Sequence, residues 1–214
     1  METKVFSTDG KELRTVELND DVFNHEVSNG TIYYAINNEL ANRRVGTACT
    51  KTRAEVNYSN TKPYKQKGTG NARQGDKKSP ILVGGGTIFG PKPREYGWVL
   101  PRKMKHLAVK SLLTLGVKED RLVVVEDFTV ESGKTKDMVK IIKTFNPDET
   151  RTLLILKGDD AMVRRAARNI PYVHVQSYNR LSAHELLYSR KIVVMETGAK
   201  NLNTFFGETK EAAK

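Results

Sequence analysis

Apolar positions in this chain keep short, regular spacings near both ends and lose all regularity in between. Thr3 to Phe6 and Leu13 to Leu18 read as two strands joined by a Thr8-Asp9-Gly10 turn, because Asp-Gly supplies the positive φ that a hairpin needs. From Thr31 on, Ile32, Ile36 and Leu40 return every four residues with Tyr33 and Ala35 beside them. This predicts a helix capped by Asn29 and running to about Val45, with Arg43 and Arg44 in its last turn. Farther on, Pro101 suits a first helical position, and Met104, Leu107, Ala108, Ser111, Leu112 and Leu115 hold a 3.6-residue period that Gly116 is expected to stop.

Four short runs follow: Leu122 to Val125, Leu153 to Leu156, Tyr172 to Val175 and Ile192 to Met195. Each is too short for a helix and rich in β-branched residues, so each reads as a buried strand. Between them lie three helical patterns: Met138, Ile141, Ile142, Phe145; then Val163, Ala166, Ala167, Ile170; then Ser182 to Tyr188 behind a Ser182/Glu185 capping box. Strands and helices alternating in this way imply right-handed crossovers and a sheet covered on both faces. The expected fold class is α/β: a three-layer α/β/α sandwich on a mainly parallel four-stranded sheet. Residues 1–45 and 101–214 would form one globular domain, and 46–100 a long extended loop. How Thr197 to Gly207 packs is not readable from the pattern.

Charge sharpens that division. Residues 41–105 hold fifteen Lys or Arg against three acids, Glu55, Asp76 and Glu95, a net of +12; the remaining 21 basic and 22 acidic residues come to −1. The same stretch contains Gly84-Gly85-Gly86 and five prolines, Pro63, Pro80, Pro91, Pro93 and Pro101. Loops longer than about 15 residues without structure of their own are normally functional or disordered. This composition predicts an arm that is disordered alone and ordered on a polyanion. Cations at every second or third position can follow successive phosphates, and glycines let the backbone approach RNA. Tyr64, Phe89, Tyr96 and Trp98 stand singly among the charges, as stacking on unpaired bases requires. The bland alternative is a basic linker with no defined partner. One cysteine, Cys49, excludes a disulfide framework and a thiolate metal cluster and fits a reducing cytosol. No signal segment or run of eighteen apolar residues is present, so no membrane is expected as a partner.

Other motifs carry less. Gly68-Thr69-Gly70 lacks the third glycine of a dinucleotide fingerprint, where Arg73 stands, and lysines precede it in place of a strand. Gly133-Lys134-Thr135 imitates the end of a phosphate loop, but Phe128 occupies the first glycine position, so it reads as a helix start with Lys134 solvated. The histidines, His25, His106, His174 and His184, have no metal-ligand spacing, and His174 inside a strand reads as a core residue. Asp159-Asp160 reads as a helix cap with first-turn acids, and no nucleophile signature occurs. Arg164, Arg165 and Arg168 form either a solvated stripe or a second phosphate-contacting patch. Neither an enzyme activity nor a cofactor or metal is therefore expected. A nucleotide-binding enzyme with a basic lid would need a Gly-rich turn after a sheet strand, and a membrane-surface protein an amphipathic or lipid anchor beside the charge.

The string KPYKQKGTGNARQG, followed by KSPILVGGGTIFGPKPREY and RKMKHLAVKSLL, resembles the family of large-ribosomal-subunit protein number four in its bacterial form. DRLVVVEDF, RNIPYVHV and KIVVME extend the resemblance over nearly the whole chain. One departure is Asn71, where the family usually carries arginine. The resemblance implies a structural, cytoplasmic ribosomal protein that binds large-subunit ribosomal RNA early in assembly, beside neighbouring large-subunit proteins. The RNA-contacting candidates are Arg43, Arg44, Lys51, Arg53, Lys62, Tyr64, Lys65, Lys67, Arg73, Lys77, Lys78, Lys92, Arg94, Trp98, Arg102, Lys103 and Lys105. By motif match the loop tip, Gln66, Lys67, Gly68, Thr69, Gly70, Asn71, Ala72 and Arg73, would approach the nascent polypeptide in the exit tunnel near its narrow point and the macrolide site. Some members also repress their own operon by binding its leader RNA, a second role the resemblance raises.

Overall fold

A computed structural model describes residues 1–207. The last seven positions of the expected globular domain, 208–214, lie outside the described residues. Two compact units divide the chain: Met1–Leu40 with Trp98–Lys214, and Ala41–Gly97.

The first unit is built on one six-stranded sheet: β1 (Glu2–Phe6), β2 (Glu12–Glu17), β3 (Leu122–Val125), β4 (Thr152–Leu156), β5 (Val173–Ser177) and β6 (Lys191–Met195). The order is β2-β1-β3-β6-β4-β5. The expected four-stranded sheet is therefore corrected. The N-terminal hairpin joins it, with β1 antiparallel to β2 and parallel to β3 through Val5↔Val124 and Phe6↔Val125. An isolated hairpin is marginal in water, and Val5 gains full burial by this pairing. Gly10, at φ 82°, turns the hairpin as its sequence predicts. β6 pairs with β3 on one side and β4 on the other, so the strand latest in the chain lies inside the sheet.

Helices are α1 (Asp20–Phe23), α2 (Asn29–Asn42), α3 (Arg102–Lys118), α4 (Thr135–Phe145), α5 (Ala161–Ala167), α6 (Ala183–Tyr188) and α7 (Glu196–Gly207). Successive strand residues point to opposite faces. Accordingly Leu153, Ile155, Ile192 and Val194 share one core cluster with α1, α2, α3, α6 and α7, while Leu154, Leu156, Val193 and Met195 share another with α4 and α5. Met138 and Ile142 of α4 and Val163 and Ala167 of α5 are buried at the spacing read from the sequence.

Several boundaries differ from the pattern for identifiable reasons. α2 ends at Asn42, so Arg43 and Arg44 lie beyond the helix, and Asn29 is its first residue instead of its cap. Tyr33 and Leu40 are exposed; Ile32, Ala35, Ile36 and Asn38 are the buried positions. Asn38 is tolerated in the core because its Nδ2 donates to the Trp98 carbonyl. α3 runs through Gly116 to Lys118. A side chain at Gly116 would lie 3.1 Å from Ile192 Cδ1, so this glycine permits close helix-strand packing and is not a stop. Pro101 is the residue before α3, not its first. The capping box at α6 is also replaced. Ser182 Oγ donates to Glu39 Oε2 at 2.5 Å, and Glu39 accepts from the Ala183 and His184 amides at 2.8 and 3.0 Å, so a carboxylate from α2 caps α6. Glu185 turns to Arg151 at 2.7 Å. His174 lies on edge strand β5, partly exposed and 3.7 Å from Glu185, and is not a core histidine.

Candidate nucleic-acid interface

Residues 43–101 contain neither helix nor strand. Between 43 and 99 the one buried residue is Gly86, which has no side chain to bury. The stretch nevertheless has local order, carried by backbone bonds between its two limbs. Arg94 N donates to Gly46 O at 3.2 Å, Thr50 N to Pro91 O at 3.0 Å, Thr87 N to Lys51 O at 2.9 Å and Gly86 N to Lys78 O at 2.9 Å. Glycines make these approaches possible. A side chain at Gly46 would collide with the Arg94 carbonyl, at Gly85 with the Ser79 carbonyl, at Gly86 with the Arg53 backbone and at Gly90 with Thr50. At these four positions the close neighbour that the missing side chain admits is the chain itself. At the tip, Gly68 and Gly70 have φ of 84° and 68°, and a side chain there would meet nothing within 4 Å.

Two of the three acids in the stretch serve this local order. Glu55 Oε2 pairs with Lys92 Nζ at 2.6 Å and accepts from Thr52 N at 2.8 Å. The Lys92 ammonium, then the Thr52 amide, draws its pKa down to about 2. Asp76 pairs with Arg53 at 3.4 Å and accepts from Lys78 N at 3.0 Å. Lys92 and Arg53 are thereby engaged within the arm. Lys62 donates to Gln66 Oε1, and Lys78 to Asn60 at 2.7 Å. Lys51, Lys65, Lys67, Arg73 and Lys77 are exposed and have no ion pair among the described residues.

The aromatic candidates separate in the same way. Tyr96 is engaged: the Arg44 guanidinium lies 3.6 Å and that of Arg94 4.4 Å from its ring centroid, within cation–π range. Arg94, through its hydrogen bond and charge, lowers the Tyr96 pKa. Tyr64 Oη donates to the Ala72 carbonyl and braces the tip across Gln66, Lys67, Thr69 and Asn71. Phe89 is fully exposed at φ 53°, with Ile81, Val83 and Ile88 also exposed. Trp98, Arg102, Lys103 and Lys105 belong to the first unit, the last three within the first turns of α3. Arg164 pairs with Asp159 at 3.0 Å and donates to Ser177 Oγ at 2.9 Å, so it serves its own fold. Asp160 caps α5 as its position suggests, through Met162 N at 2.9 Å. Sequence reasoning missed the clamps made by Glu55 and Asp76; acids isolated in a basic run were the available signal.

Comparison with known proteins settles the lineage of this arrangement. A model of the ribosomal protein L4/L1 family matches residues 16–205. The chain belongs to that family. It is 64% identical over 207 residues to the large ribosomal subunit protein uL4 of Treponema denticola, covering 97% of this chain and 98% of the relative. Identity to the protein of the same name from Treponema pallidum is 58% over 214 residues, with 100% and 98% covered. The Borrelia duttonii protein of that name matches at 54% over 207 residues, with 96% and 99% covered. Family membership therefore extends over both units, arm and scaffold alike.

Proposed function

We propose that this chain is a structural, non-catalytic constituent of the large ribosomal subunit in the cytoplasm, binding its ribosomal RNA through the basic arm. The observation that carries this reading is the arm's outward-facing charge: from 43 to 99 nothing but a glycine is buried, and nine of the ten cations in 46–100 are exposed. A segment that buries no apolar side chains gains its full order from a partner, and this composition selects a polyanion. The relatives are named large ribosomal subunit proteins, which supports ribosomal RNA as that polyanion. The helix-covered sheet reads as a three-layer α/β/α scaffold that presents the arm at residues 46–100. The tip, Gln66 to Arg73, is the segment we assign to the exit tunnel and the nascent polypeptide. Among the described residues, its open glycines and the exposed Lys65, Lys67 and Arg73 have no ion pair or close packing that would explain them. Neighbouring large-subunit proteins are the expected partners of the scaffold.

Binding to large-subunit ribosomal RNA is expected to weaken by on the order of a thousandfold or more between about 50 and 200 mM salt, as six to ten phosphate contacts require. A nearly flat salt dependence would refute the arm as the RNA-binding element. Lys67→Glu converts a phosphate attraction into a repulsion at the tip and is expected to alter macrolide susceptibility of ribosomes containing the variant. An unchanged drug response in such ribosomes would remove the tip from the tunnel.

A further inference from the structure

The globular unit carries an open groove of about 570 Å³ between α3 and the end of α7. Its floor is aromatic. The His106 and Phe205 rings stack with centroids 5.9 Å apart and 21° between planes, and Phe206 meets them edge-on at 5.2 and 5.0 Å. Phe205 remains 42% exposed although His106, Phe206 and, edge-on at 6.1 Å, Tyr178 are packed around it. The rim holds Arg102 and Lys105, both exposed, and Asn179. α3 opens here with no acid in its first turn and no side-chain cap, so the positive end of its dipole adds to these charges. His106 Nδ1 is buried and has no hydrogen-bond partner among the described residues. Burial first, then the charges of Lys110 and Arg102, lower the His106 pKa, which favours the neutral ring. A neutral imidazole offers a donor or an acceptor at this atom according to its tautomer.

We propose that this groove is a second RNA site that receives one unpaired nucleotide, its base stacked on Phe205 and its phosphate held by Arg102 and Lys105. The base edge then has Asn179 on the rim as a hydrogen-bonding partner. The proposal rests on the reading of this chain as an RNA-binding protein. An acidic peptide would satisfy the two cations but leave the flat ring without a counterpart, and a base inside a duplex presents no free face to it. A planar ring carrying an anion meets all three features together.

The test is photo-crosslinking of the full-length protein to a short single-stranded RNA of about twelve nucleotides containing 4-thiouridine, with crosslinked peptides mapped by mass spectrometry. The expected result is one crosslink on the peptide holding Phe205 and Phe206, separate from those on the arm. Phe205→Ala is expected to reduce that crosslink by about tenfold, with Phe205→Tyr restoring it, as loss of one stacking partner predicts. Arg102→Gln with Lys105→Gln, both at exposed positions, is expected to reduce it without touching the core. An arm variant, Lys65→Gln with Lys67→Gln and Arg73→Gln, is expected to weaken the arm crosslinks and spare the groove. Arm crosslinks with none in the groove overturn the proposal while leaving the arm reading intact. A groove crosslink insensitive to both the Phe205 and the Arg102/Lys105 variants overturns it equally, as does an acidic peptide such as hexaglutamate protecting Phe205 where the RNA does not.

Discussion

A methyl group added at Gly85 would run into the Ser79 carbonyl, whereas one added at Gly70 would meet nothing within 4 Å. Two residues of the same type in one loop therefore answer to different constraints. Gly85→Ala is expected to untie the base of the arm, so that the Gly86 and Thr87 amides lose hydrogen-exchange protection while the scaffold keeps its thermal midpoint. Gly70→Ala carries only the cost of a left-handed backbone, about 1 kcal/mol, and is expected to leave those two amides protected. Equal loss of protection in both variants would contradict the division between a packed base and an open tip. Composition alone reveals that the arm needs glycine, but not which glycine does what. That depends on atoms brought close by the fold, such as Lys51 and Lys78 bonding to Thr87 and Gly86. Tyr96 teaches the same lesson: a lone aromatic in a basic run has the composition of a stacking residue, yet its ring is engaged by Arg44 and Arg94.

Helix α6 begins under a carboxylate that belongs to α2. The three bonds from Ser182 and the Ala183 and His184 amides to Glu39 make Glu39→Gln an uncapping substitution that preserves shape and removes charge. It is expected to cost about 1–2 kcal/mol, which at this chain length lowers the thermal midpoint by about 2–8 °C. Ser182→Ala deletes one of the three bonds and is expected to cost less. A larger loss for Ser182→Ala than for Glu39→Gln in thermal melts would show that the cap is local after all. Local pattern located every element from α2 to β6: repeating apolar positions for α2 to α5, a capping-box signal for α6 and short β-branched runs for the strands. It could not show that Gly116 packs against Ile192, or that Glu39 lies over a helix more than a hundred residues away, because both depend on contacts across elements. The four-residue α1, with Asn19 Oδ1 accepting from Asp21 N at 2.9 Å, is shorter than any helical period can register.

Across the whole molecule, charge and apolar pattern partition the chain along the same line, so the basic stretch stands out in the sequence itself. What was not legible was the width of the sheet, since the hairpin joins the parallel strands through the long-range register Val5↔Val124 and Phe6↔Val125. Because Arg94 N reaches Gly46 O, the two limbs are adjacent there, and Thr47 to Pro93 can be replaced by a short Gly-Ser link. The shortened protein is expected to keep its cooperative melt and its helical circular dichroism, gaining about 1 kcal/mol or less from the smaller loop. Its affinity for ribosomal RNA is expected to fall by about a hundredfold or more. Unfolding of the shortened protein would mean that the arm belongs to the core. The position of β6 governs a different property. β3 and β4 are not hydrogen-bonded to each other; β6 joins them, and it follows every other strand in the chain. During synthesis the sheet therefore waits as two separate pieces, β2-β1-β3 and β4-β5, until residues 191–195 have emerged. A chain interrupted before that point lacks the strand that joins the two halves of its sheet, so the scaffold can close only once nearly the whole chain exists.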